Sequence, residues 1–168
     1  MAVQVNLRPF ESEDIEDLKA WYNDPVTLQM IGHTPKNTTE LEAMVTAMRQ
    51  TEAVILVIET RQGEKLGWIH LTSIHYKHGR AEIGIVLDTA HQGKGHGEAA
   101  MLQMLNIAFN QLRLNKVYLT TRGVNEKAKA LYEKLGFHLE GTFKDHCYVD
   151  GKYYDTYFMS LFDADWRH

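Results

Sequence analysis

Six residues set between a strand-like segment and a long apolar helix constrain this chain most. Ala81 to Leu87 reads as a strand, and Ala99 to Leu112 as a helix too apolar all round for a surface position. Between them runs Gln92-Gly93-Lys94-Gly95-His96-Gly97. Glycines let the backbone turn tightly there, and the helix that follows starts with amides that have no partner of their own. Such a loop is built to receive an anion. The spacing fits neither a Walker-type loop, which ends in Lys-Ser/Thr, nor the G-x-G-x-x-G dinucleotide fingerprint.

The rest of the chain supplies the sheet on which that helix must pack. Val3 to Leu7 alternates like a strand, and Ser12 is placed to cap a helix carrying Ile15, Leu18 and Tyr22. Asn23-Asp24-Pro25 ends it. Thr39 and Glu42 have capping-box spacing ahead of Leu41, Met44, Val45 and Met48, which predicts a second helix. Val54–Glu59, Leu66–Tyr76 and Ala81–Leu87 then form an antiparallel meander. Val117–Thr121 reads as a further strand. Asn125 opens a helix with Ala128, Leu131 and Leu135 on one face, closed by Gly136. Two last strands meet at Asp150-Gly151, a dipeptide suited to a tight hairpin, and no helix is expected after them. Strands before, between and after helices favour a mixed α/β sheet covered on both faces.

Composition removes several functional classes. At 168 residues and 44% hydrophobic, the chain is read as one domain, 1–168, with a sizeable core. A formal charge of -4, with no basic run, argues against nucleic acid as a partner. The lone Cys147 forbids an intrachain disulfide, and neither a signal core nor about 18 consecutive apolar residues is present. A cytoplasmic protein without a membrane span is the expectation. Nine histidines invite a metal, yet no H-E-x-x-H or Cys/His cluster occurs, so none is expected.

Gln92-x-x-Gly95-x-Gly97 after a strand resembles the acyl-CoA pyrophosphate loop of the GNAT (Gcn5-related N-acetyltransferase) family, whose signature is Q/R-x-x-G-x-G/A. Asn125-x-x-Ala128-x-x-Leu131-Tyr132-x-x-Leu135-Gly136-Phe137 is similar to the family's second signature, and Gly63-x-x-Leu66-Gly67 to its turn into the third strand. Trp21-x-Asn23-Asp24-Pro25 and Asp150-Gly151-Lys152-Tyr153-x-Asp155 look most like the RimJ/RimL and spermidine acetyltransferase branch. The resemblance implies a mostly antiparallel sheet of about seven strands with a splayed central pair. It also implies acetyl-CoA as donor, direct transfer to an amine, and a homodimer or larger homo-oligomer.

By that resemblance Val86 and Leu87 offer backbone groups to the pantetheine arm, one amide polarising the thioester carbonyl. Gln92, Gly93, Lys94, Gly95, His96 and Gly97 hold the diphosphate; Asn125 caps its helix and meets the arm; Lys94 and Lys127 are candidates for CoA phosphates. Period 2 sets Glu82, Gly84 and Val86 on one strand face, with Gly84 leaving room for a ligand. Glu82, the one carboxylate there, is a candidate general base, and a salt bridge with Arg80 or a histidine is its structural alternative. Tyr132 is the candidate acid for the leaving thiolate. Cys147 needs no nucleophilic role.

Residues 11 to 52 carry nine acids against Lys19, Lys36 and Arg49. A cationic acceptor is one reading of that excess, and a solvated helix face the other. Polyamines, protein N-termini and small amino compounds are the candidate acceptors. The competing classes are a non-catalytic acyl-CoA-binding regulator and an ATP-binding protein, the second of which lacks its Lys-Ser/Thr element.

Overall fold

The computed structural model describes residues 2–166. Seven strands form one sheet: β1 Asn6–Pro9, β2 Val54–Glu59, β3 Lys65–His75, β4 Arg80–Leu87, β5 Lys116–Arg122, β6 His138–Val149 and β7 Lys152–Phe162. Their order is β1-β2-β3-β4-β5-β7-β6. Every neighbouring pair is antiparallel except β4 and β5. The helices are α1 Ile15–Tyr22, α2 Pro25–Ile31, α3 Thr38–Gln50, α4 His96–Asn106, α5 Glu126–Lys134 and α6 Asp163–Trp166.

Strand alternation divides the core in two. Ile58, Ile69, Leu71 and Ile83 pack on one face against Met101, Met104 and Leu105 of α4. Ile55, Val57 and Trp68 pack on the other against Leu18, Trp21 and Tyr22 of α1 and Leu41 and Val45 of α3. Both faces are thus covered, as patterning predicts. Leu102 of α4 is 40% exposed, so that helix keeps a solvent side that its composition hides.

Differences from expectation lie at the element ends. Pairing begins at Asn6 rather than Val3, because Val5 is buried in the core and its carbonyl accepts from the Gln103 side chain at 2.7 Å. Asp14, not Ser12, closes the turn into α1, taking the Glu11 amide at 2.9 Å. Asp24-Pro25 stops one helix but also starts α2: Asp24 accepts from the Thr27 amide at 3.0 Å, and proline fits a first helical position that needs no donor. Asn37 caps α3, two residues before Thr39, in a reciprocal box with Glu40. Asp150 and Gly151 take positive φ of 47° and 84°, as the hairpin requires, and the short α6 follows β7 where no helix was expected.

Asp14 is fully buried and ties β1, α1 and β3 together through Arg8 at 2.8 Å and Lys65 at 2.7 Å. Its carboxyl lies well below the usual range, because the bonds from Arg8 and Lys65 overcome the burial that opposes them. A depressed folded value means this stabilisation exists at neutral pH and disappears as pH falls. Asp14→Asn should cost about 3 kcal/mol at pH 7 by taking the buried partner from two cations, which leaves Arg8 with Glu59 alone and Lys65 with Asp17 alone. In urea unfolding the gap to wild type should narrow below about pH 4. A gap that persists unchanged at low pH would refute the assignment.

Candidate active site

The ladder between β4 and β5 is short. It runs from Arg80↔Lys116 to Glu82↔Tyr118 and stops, although both strands continue. From Ile83 to Leu87, β4 pairs with β3 alone among the described residues. This opening is the splay that the resemblance implies. The Asp88 amide donates to the Leu66 carbonyl at 2.8 Å. Alternation from that bond turns the main-chain groups of Val86 and Gly84 toward β3, and those of Ile85 and Leu87 toward the opening. The Leu87 expectation therefore has the right geometry, whereas Val86 spends its main chain on Trp68. Ile85, which the sequence reading did not single out, shares that orientation with Leu87, and the parity of the ladder is the signal that distinguishes it.

Beyond the strand, Asp88 starts a short turn and the glycine loop leads into α4. Gly93 and Gly95 have φ of 73° and 85°. A Cβ at Gly97 would lie 3.2 Å from the Leu87 side chain and 3.7 Å from Leu131, so the start of α4 is wedged between β4 and α5. The amides from Gly93 to Glu98 find no acceptor in the protein among the described residues. A run of unpaired amides at a helix start is an anion site. Gln92 donates to the Leu87 carbonyl at 3.1 Å, joining loop to strand. Lys94 bends back to the Ala90 carbonyl at 2.9 Å, and the exposed Lys127 makes no ion pair among the described residues. His96 stacks near His91 and is held below its ordinary range by burial, then by His91 and Lys94.

A cavity of about 840 Å³ opens between the strands and the wall made by α1 to α3. Glu82, Val86, Asn125 and Tyr132 all line it. The residues of the glycine loop, Leu87 and Lys127 do not. Asn125 caps α5, accepting from the Ala128 amide at 3.2 Å. Tyr132 stands against Phe137, ring centroids 5.9 Å apart, and its hydroxyl makes no hydrogen bond among the described residues. Burial pushes its phenol up to about 12. Among the described residues Glu82 forms no ion pair, with Arg80 or with a histidine, and burial raises its carboxyl above the ordinary value.

The space at Gly84 is used differently from expectation. A Cβ there would lie 2.3 Å from the His70 ring, which fills the gap between Glu82 and Val86. Burial lowers the His70 imidazole to about 4, so it is neutral at pH 7, and its Nδ1 has no partner. His70 and its neighbour Trp68, ring centroids 4.9 Å apart, both line the cavity.

The acetyltransferase (GNAT) domain model matches residues 4–138. The chain belongs to the GNAT acetyltransferase family. This GNAT acetyltransferase is 30% identical over 162 residues to the spermidine N(1)-acetyltransferase of Escherichia coli K12, covering 96% of this chain and 87% of that one. Its fold superposes with a TM-score of 0.91 on the Vibrio cholerae spermidine N-acetyltransferase in complex with CoA and spermine, at 28% identity over 98% and 99% of the two chains. A dodecameric structure of the Vibrio cholerae enzyme gives 0.83 at the same identity, over 96% and 95%. The protein is an N-acetyltransferase that uses acetyl-CoA.

No helix among the described residues of this GNAT acetyltransferase is long and apolar enough to cross a membrane. Its described histidines, cysteine and carboxylates form no group of three that could hold a metal. None of the nine acids between residues 11 and 52 lines the cavity. Asp14, Asp24 and Glu40 cap helices or pair with bases instead.

Proposed function

We propose that this acetyltransferase acts on a small primary amine, with Glu82 as base and Tyr132 as acid in direct transfer. The observation that carries this reading is the early end of the β4–β5 ladder beside a run of unpaired loop amides. Diphosphate on Gly93 to Glu98 and an extended arm along Ile85 and Leu87 would deliver the thioester into the cavity that Glu82 and Tyr132 share. Gln92 would hold the loop to the strand, Lys94, His96 and Lys127 would border the phosphates, and Asn125 would meet the arm with its amide nitrogen.

The acceptor arrives as an ammonium and must lose a proton before its lone pair attacks. Glu82 takes that proton, directly or through water. Nitrogen then bonds to the carbonyl carbon while a β4 amide stabilises the oxyanion. As the C–S bond breaks, Tyr132 gives its proton to sulfur and recovers one from the acetylated nitrogen. The reaction releases CoA, the amide and one proton.

Spermidine is the acceptor named for the Escherichia coli and Vibrio cholerae relatives, so a polyamine belongs first in the acceptor panel. Free-thiol release should be measured with spermidine, N-terminal peptides and aminoglycosides, beside calorimetry with CoA and ATP. Binding of CoA but not ATP, with thiol release dependent on an amine, is expected. CoA binding without any amine-dependent release would favour the regulatory alternative.

A further inference from the structure

The charge lining the acceptor side of the cavity is opposite to what a polycation needs. Among the described residues Glu82 is its one carboxylate, while Lys36 and Arg122 both line it and neither forms an ion pair there. The chain fixes the backbone of Lys36 and the side chain of Arg122. Asn23, at the end of α1, clamps the backbone of Lys36 on both sides, accepting from its amide at 2.9 Å and donating to its carbonyl at 2.7 Å. Arg122, at the end of β5, lies flat over Gly32, where a Cβ would come within 2.1 Å of the guanidinium carbon. It donates to the Gln29 carbonyl at 3.1 Å, which occupies one of its five N–H groups.

The two cations act on the same space. His33, also on the cavity, is held below its ordinary range by burial and then by both Lys36 and Arg122. His70 is neutral and does not offset them. Met30, Ile31, Met44 and Met48 give the same wall an apolar surface.

We propose that Lys36 and Arg122 form an anion subsite, so that the favoured acceptor carries its primary amine and a carboxylate or phosphonate on one small, partly apolar molecule. This rests on the transferase reading above and names the substrate class for that site. The guanidinium fork matches a planar carboxylate, and Lys36 adds a point charge. With the anion held there, the amine is left to approach Glu82. Spermidine would instead set a second ammonium against two cations.

The test compares L-leucine, L-methionine and L-phenylalanine with their C-terminal amides and with spermidine, by thiol release. The acids should exceed their amides at least tenfold in kcat/KM. Arg122→Gln, and separately Lys36→Met, should cut the acids by about 10- to 100-fold and the amides much less, collapsing the preference. Amides or spermidine used as well as the acids, or a preference that survives both substitutions, would overturn the subsite. In that outcome the transferase reading stands. If no amine is acetylated, that reading fails, and the subsite is judged by calorimetry with CoA present. Tighter binding of N-acetyl-L-leucine than of its amide supports it, and equal binding overturns it.

Discussion

Tyr132→Phe should lower turnover about 100-fold or more while leaving acetyl-CoA affinity within threefold. The substitution deletes one oxygen. The ring stays against Phe137, and the hydroxyl has no protein partner to lose, so stability should hold. A phenol near 12 is fully protonated at neutral pH but is a weaker acid than an ordinary thiol near 8.5. Complete proton transfer to a free thiolate would be uphill by about 5 kcal/mol. The proton therefore moves as the C–S bond breaks and sulfur is most basic, and the acetylated nitrogen returns one to the phenolate. Steady-state kinetics with a good acceptor, and calorimetry with CoA, separate the two effects. Undiminished turnover would remove Tyr132 from the reaction.

The order of strands was legible in the sequence because alternation and glycine punctuation are local signals. Val54–Glu59, the Asn125 cap and the Asp150-Gly151 turn all occur where their residues predict. The start of α2 was not legible, since Asp-Pro is both a stop and a start, and only packing decides between them. Glu82, Asn125 and Tyr132 reach one cavity because strand alternation sets the face of the first and one helical motif places the other two. Trp68, His70 and Arg122 were hidden because each depends on a partner distant in sequence. His70 needs the register that sets it over Gly84, and Arg122 needs α2, which brings Gly32 beneath it. The acidic excess of residues 11 to 52 left two readings open for the same reason: sequence counts charges but does not show which way they face.

Glu82→Gln separates catalysis from stability more sharply than any other change at the site. Glu82 has no counter-ion, and burial raises its carboxyl, so folding favours the protonated form. A raised folded value means its contribution is favourable at low pH and is lost as pH rises through that value. The ionised carboxylate is therefore a half-buried charge held at a cost, and glutamine removes it. Glu82→Gln should unfold at a higher temperature than wild type at pH 7, with the difference disappearing below about pH 4. Its turnover should fall about 100-fold at neutral pH, because glutamine takes no proton from an ammonium. Wild-type activity should decline, as pH is lowered, at a higher pH than an ordinary glutamate would give; the variant's residual rate should lack that step. Gain of stability with loss of rate is the signature of a group held ionised for chemistry. A variant that loses stability at pH 7, or keeps its rate, would show Glu82 to be part of the scaffold alone.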